Sequence, residues 1–286
     1  CCIWNTIFRI CIFLFSYFFV VPIFSVNYKS SDYEGVVSSM STTTVKDAKE
    51  TKSTQALLIK PNIEEIVVTH VKTPSAVKAI YVSACVASMP SWRTKLADMI
   101  ASTELNSMVI DVKDFTGSIS YYPTDPKLNE VKGTGCRVKD MKSFVAELHE
   151  KGIYVIARIT TFQDPAYTKA HPELAVKRAS DGGVWKDHKG LAFIDVSAKP
   201  YWDYVALLAR DTYALGFDEI NFDYIRFPSD GNMKDIAYPW TGTLAKATAL
   251  ENFFVYLEKN VKPSGAIISA DLFGMTTVNT DDLGIG

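Results

Sequence analysis

The sequence predicts an α/β fold on a parallel sheet, of the TIM (β/α)8-barrel type and here incomplete, with about five βα units. Three observations predict it. Five short apolar, β-rich runs recur at Ala79–Val86, Ser107–Lys113, Tyr154–Thr160, Glu219–Ile225 and Ala266–Leu272. Helical patterns fill the gaps, and regular βαβα alternation means a parallel sheet covered by helices. No GxGxxG follows the first run, which weakens the open dinucleotide-binding alternative. The long segments after the second and third runs suit a barrel whose βα loops build the active site.

Each helix has its own signals. Ser91 is placed to cap a helix running to about Ser102. Met141, Phe144, Val145 and Leu148 fall at i, i+3, i+4 and i+7, and Gly152 follows as a stop. Pro200 opens the next helix; Tyr201, Val205 and Leu208 share a face, and Gly216 ends it. Leu250, Phe253, Phe254 and Leu257 stripe the fourth, which stops near Pro263.

Ahead of these units lies a different kind of chain. Residues Ile10 to Val26 read ICIFLFSYFFVVPIFSV, preceded by Arg9. This N-terminal hydrophobic helix is short for a membrane span and long for a signal-peptide core. Residues 1–26 are therefore read as a signal peptide or membrane anchor. The absence of a small-x-small cleavage site favours the anchor. Residues 27–77 are a Ser/Thr-rich, flexible linker and lead-in, and 78–286 form the partial barrel. The domain is expected outside the cytoplasm, membrane-anchored or secreted. Cys85 and Cys136 can form one disulfide there. Cys1 replaces Met at the start, and Asp281–Gly286 reads as mid-loop, so the chain reads as a fragment ending after its fifth strand.

Composition narrows the function. The 286 residues are 48% hydrophobic and 22% charged, which excludes a disordered chain and a collagen-like fibre. Thirty basic against 32 acidic residues argue against a nucleic-acid partner held by bulk charge. No CxxC, HExxH or GxSxG motif occurs, so neither a zinc site of those types nor a serine esterase is expected. No metal and no cofactor is called for. The four histidines are scattered, and His149 is expected to face solvent.

Alternation along the strands gathers the chemistry. In the fourth run Ile220, Phe222 and Tyr224 oppose Glu219, Asn221 and Asp223. The apolar set should face the helices and the polar set the barrel axis. The same rule turns Asp111 and Lys113 inward, with Arg158 and Asp271 near the carboxyl ends of their runs. Catalytic groups of barrels sit at those ends. Two carboxylates flanking a sugar-sized cleft suit glycoside hydrolysis, with Asp223 as nucleophile or base and Asp271 as acid. Asp111, Lys113, Asp114, Arg158, Asn221 and Arg226 are candidate substrate-binding groups. Asp111 could instead pair with Lys113 or Arg158, and Arg158 could orient Asp223. Asp114 and Asp164 fit sugar-hydroxyl ligands or turn formers. Trp185 and Trp240, with Tyr121, Tyr122 and Tyr238, could stack on sugar rings or pin loops to the rim.

The most specific feature is the string from Gly216 to Pro228, GFDEINFDYIRFP, with VIDVKD at 109–114 upstream. Together they resemble the glycosyl hydrolase domain family of exported and membrane-anchored prokaryotic proteins, from about Lys78 onward. The resemblance implies a barrel and glycosidase-like chemistry; the expected substrate is a polysaccharide or oligosaccharide, with the cell envelope as its expected place. The same string looks like a relative of the family 18 chitinase motif D-x-x-D-x-D-x-E. Here Asn221 and Asp223 occupy the inner acid positions, and Ile225 stands where the catalytic Glu would be. Chitinase activity is therefore not carried over, and Asp223 fits better as the strand-four acid of α-amylase-like barrels. The rival reading is a carbohydrate-binding barrel without catalysis.

Overall fold

The structure is a computed structural model that describes residues 9–10, 66–131, 133–272 and 276. The apolar segment beyond Ile10 and the linker as far as 65 lie outside the described residues. Six strands form one sheet: β1 (Arg9–Ile10), β2 (Ala79–Val82), β3 (Ser107–Lys113), β4 (Tyr154–Thr160), β5 (Glu219–Asp223) and β6 (Ile267–Ala270). The order is β1-β6-β5-β4-β3-β2, and every pairing is parallel. From β2 to β6 each strand lies beside its predecessor in sequence, without the reversal of a doubly wound sheet.

The crossovers carry the helices α1 (Ala84–Ala87), α2 (Pro90–Ala101), α3 (Met141–Glu150), α4 (Pro165–Ala170), α5 (Lys199–Tyr213) and α6 (Lys246–Asn260). With right-handed crossovers and sequential strands, the connecting helices stack on the same side of the sheet. One strand face supplies their core. Met108, Ile110, Val155, Ala157, Ile159, Ile220 and Phe222 are buried in one cluster with Phe144, Leu148, Val205, Leu208 and Phe253 of the helices.

Three of the boundaries that differ from the sequence expectation have a visible cause. β2 stops at Val82 because Ser83 stands at the N-cap of α1. α2 begins at Pro90 with Met89 as N-cap, so Ser91 lies inside the first turn, where proline's fixed φ suits the helix start. β5 ends at Asp223 because Tyr224 turns left-handed, with φ 53°. α4 was not signalled by periodicity; it is set by Asp164, whose side chain accepts from the Tyr167 amide at 2.8 Å, and by Pro165 in its first turn.

The lead-in from residue 66 crosses the amino ends of the strands. The Val71 amide donates to Asp218 Oδ1 at 2.6 Å, and Thr73 Oγ1 meets the Tyr154 hydroxyl at 3.2 Å. Asn106 Nδ2 donates to the Ala76 carbonyl, and its Oδ1 accepts from the Lys78 amide. His149 is not solvent-facing. Its Nε2 lies 3.0 Å from Asp218 Oδ2 and its Nδ1 3.1 Å from Thr69 Oγ1, because the lead-in covers it.

Two further ties act near the carboxyl ends. Cys85 and Cys136 form a disulfide that joins α1 to the segment after β3. The loops after β4 and β5 share a small core of Val176, Trp185 and Phe193, with antiparallel bridges Lys177–Val184, Lys186–Ala192 and Lys177–Ala237.

Candidate active site

The face of the sheet away from the helices is polar and layered. Register puts Asp111 beside Arg158, Arg158 beside Asn221, and Asn221 beside Ser269. At the bottom, Glu219 accepts from the Tyr154 hydroxyl at 2.9 Å and from Ser269 Oγ at 2.5 Å. Above it, Asn221 Nδ2 donates to Ser269 Oγ at 3.1 Å and to Asp271 Oδ1 at 3.2 Å. Each strand thus contributes alternate residues, stacked from the amino to the carboxyl ends.

At the carboxyl ends sits an ionic triad. Arg158 donates from Nε to Asp223 Oδ2 at 2.9 Å and from Nη2 to the same oxygen at 2.5 Å, while Nη1 reaches Asp111 Oδ1 at 2.7 Å. Burial opposes the guanidinium charge, but Asp223 and Asp111 outweigh it and raise the Arg158 pKa further. The second oxygen of Asp223 accepts from the Tyr224 amide at 2.5 Å. That bond, with the left-handed Tyr224, fixes where the carboxylate points. A non-glycine residue held left-handed beside an acid is the kind of strain that concentrates at functional sites.

Asp271 follows β6 directly, and its amide donates to the Phe222 carbonyl at 2.9 Å. This sets Asp271 level with Asp223 on the neighbouring strand, close enough for the charge of Asp223 to act on it. Burial, then the charge of Asp223, push its pKa up; the Asn221 amide and Arg158 only partly offset them. Asp111 is likewise pushed up, first by burial, with Arg158 and the Tyr81 hydroxyl pulling the other way.

Tyr81 was not among the expected residues. Its hydroxyl donates to Asp111 Oδ2 at 2.7 Å, and Arg158 lies over its ring at 5.6 Å. The signal was present: Tyr81 is two residues from Ala79 and shares the axial face with Val109, its register partner. Reading the first run as strand through Val86 hid that it sits next to the strand's end. Two buried polar atoms in this region, Asn221 Oδ1 and Thr160 Oγ1, have no hydrogen-bond partner among the described residues.

The structure removes several expected residues from the mouth. Lys113 does not share the polar face of the sheet. The β3–β4 register slips between Asp111 and Lys113, so Lys113 pairs with Ile159 of the helical face. One extra residue in a strand flips the parity of those that follow. Lys113 Nζ instead makes a fully buried ion pair with Asp164 Oδ2 at 2.9 Å and donates to the Thr160 carbonyl at 2.7 Å. Asp114 forms a turn: its Oδ1 accepts from the Thr116 amide and hydroxyl and from the Ser118 amide. Trp185 is 1% exposed, packed on Phe193 with its Nε1 donating to the Asn232 carbonyl, and Tyr121 is buried on Asp211; neither offers a ring face to a ligand.

Arg226 stays near the mouth, donating to Ser229 Oγ at 2.8 Å with its guanidinium 5.2 Å from the Tyr224 ring centre. Trp240 lies farther out, 43% exposed, its Nε1 donating to the Glu173 carbonyl. The structure therefore brings together Asp111, Arg158, Asn221, Asp223 and Asp271, with Arg226 at the rim.

Comparison with known proteins places this geometry. The family described as "Putative glycosyl hydrolase domain" matches residues 79–286. A crystal structure of a hypothetical protein from Ruminiclostridium thermocellum ATCC 27405 is 30% identical over 68% of this chain and 98% of that one, with a TM-score of 0.61. A β-N-acetylhexosaminidase crystal structure is similar at 16% identity over 71% of this chain, with a TM-score of 0.51. The chain spans 48% of that enzyme, and the likeness is one of fold. No curated protein matches in sequence.

Proposed function

The chain belongs to the glycosyl hydrolase domain family, and on that premise we propose that it is a glycoside hydrolase acting on a polysaccharide or oligosaccharide through Asp223 and Asp271. The observation that carries this is the pair of neighbouring carboxyls in unlike surroundings. Asp223 is gripped by the Arg158 guanidinium, whereas Asp271 is buried beside it with its proton affinity raised. A carboxyl whose burial raises its proton affinity suits the acid, and a carboxylate held by a guanidinium is oriented for the second role.

In this reading Asp271 delivers its proton to the glycosidic oxygen. Asp223 acts on the sugar as nucleophile or as base for water. Arg158 positions Asp223, and Asp111 and Tyr81 hold Arg158 from behind. Asn221 links the two carboxyls' strands, and Arg226 and Trp240 contact more distant sugar. Sequential parallel strands with a polar inner face support five consecutive units of a (β/α)8 barrel. The apolar segment at 10–26 and the Cys85–Cys136 disulfide support an exported domain, anchored in or released from a membrane. The cell envelope is then the nearest polysaccharide.

The test uses the purified chain and its Asp223→Asn variant on a panel of polysaccharides and peptidoglycan, measuring new reducing ends. The wild type should cleave one polymer, and the variant should lose about 10³-fold of that rate. Equal cleavage by both would sink the assignment. Retention on a polymer without cleavage by either would favour the binding barrel.

A further inference from the structure

Below the carboxylate mouth a short chain of hydrogen bonds runs through the polar face, and its directions are forced. Glu219 Oε2 accepts from the Tyr154 hydroxyl at 2.9 Å, and its Oε1 accepts from Ser269 Oγ at 2.5 Å. A carboxylate has no proton to return, so the single hydroxyl proton of Ser269 is committed to Glu219. Towards its other neighbour Ser269 Oγ can only accept. It accepts from Asn221 Nδ2 at 3.1 Å, and the same nitrogen donates to Asp271 Oδ1 at 3.2 Å. Tyr154, Glu219, Asn221 and Ser269 are all buried, where each pairing counts for more than it would in water.

The unused end of Asn221 shows which partner decides. Its Oδ1 is buried and has no hydrogen-bond partner among the described residues. Leaving a buried acceptor unpaired is unfavourable, so the amide is not oriented by its own oxygen. It is oriented from the β6 side. The reversed amide would set Oδ1 against Ser269 Oγ, acceptor against acceptor. It would also set Oδ1 against Asp271, where it would take the acid's proton in a hydrogen bond and hold it away from a substrate.

We infer that Ser269, its proton committed to Glu219, is a positioning residue for Asp271: it turns the Asn221 nitrogen towards Asp271 Oδ1 and so leaves the acid's proton on Oδ2, free for transfer. This rests on Asp271 being the acid of the proposed hydrolysis.

The experiment follows the Asp271 carboxyl carbon by NMR through a pH titration of the full chain, with Asp271→Asn to assign the signal, beside Ser269→Ala and Ser269→Thr. Asp223, Arg158 and Glu219 act on Asp271 through their charge, and neither Ser269 substitution removes them. Ser269→Ala releases the amide, whose oxygen can then bind the Asp271 proton, so the Asp271 midpoint should move up. Ser269→Thr keeps the hydroxyl and should restore it. On a polymer the parent cleaves, Ser269→Ala should lower kcat about tenfold and leave KM within about twofold, the effect of one misdirected hydrogen bond. A midpoint that stays or falls in Ser269→Ala would overturn the inference, as would an equal rise in Ser269→Thr. In the parent, a nuclear Overhauser contact from the Asn221 side-chain NH2 to Ser269 Hβ tests the amide's direction without any substitution, and its absence would also overturn the inference. A parent that cleaves no polymer would sink the hydrolase reading alone, because the titration needs no substrate.

Discussion

Two ionic clusters sit on opposite sides of β3 and β4, and they use the same chemistry to different ends. On the helical side, Lys113 and Asp164 pair with no solvent exposure, and the Tyr201 hydroxyl donates to Asp164 at 2.9 Å and to the Thr161 carbonyl at 2.6 Å. On the polar face away from the helices, Arg158 serves two acids, with its side chain 16% and that of Asp223 23% exposed. The first has one acid for one base and hydrogen bonds to spare. The second has an acid too many, counting Asp111 and Asp223, and a further one in Asp271. A closed, balanced pair holds backbone in place; an open, acid-rich cluster keeps protons and charge available. One bulged residue, Val112, decides which side chain joins which cluster.

The largest effect should come from breaking the closed pair. Lys113→Met leaves Asp164 buried without its cation. Stability should fall by about 3–5 kcal/mol, since removing one partner of a buried pair strands the other charge. Denaturant melts would check this, and a loss under about 1 kcal/mol would contradict the buried assignment. Breaking the open cluster should spare the fold more than the chemistry. Arg158→Lys cannot fork between Asp223 and Asp111, and hydrolysis should drop by about 10²-fold. The midpoint of melting should move less than for Lys113→Met; the reverse order would erase the distinction.

A smaller effect of opposite sign is expected at Asp271. Its pKa is raised in the folded chain, so the folded chain binds the proton more tightly than the unfolded one. Stability therefore falls as pH rises through the window above the ordinary value of 3.8, and the group costs stability at pH 7. Asp271→Asn should raise the melting temperature at pH 7 by roughly 2 °C while abolishing turnover. The gain should fade below about pH 4, where both states carry the proton. A variant destabilised at pH 7 would overturn this. The smallest effect belongs to Tyr81→Phe, which removes one hydrogen bond to Asp111. Turnover should fall about three- to tenfold with melting nearly unchanged. No change in rate would detach Tyr81 from the site.

Strict alternation made the polar face legible. Asp111, Arg158, Asn221, Asp223 and Asp271 all lie where a period of two puts them, and the limits of β3 and β4 follow from their apolar runs. Lys113 failed the same rule because a bulge is a local backbone event with no side-chain signature here. Trp185 failed for another reason. A loop long enough to hold its own core buries an aromatic residue that sequence alone would leave at the rim. His149 reads as exposed in sequence because its cover comes from residues 69–71, distant in sequence and polar around it. In each case the missing information was a long-range contact or a register slip.

The strapped lead-in also gives the domain a handle. The chain enters across the amino ends of the strands, where Asp218, Tyr154 and Asn106 hold it, while the carboxyls stand at the opposite ends. A seven-residue strand spans about 23 Å. Loosening that strap should therefore cost the fold at its amino edge and leave the carboxyls where they are.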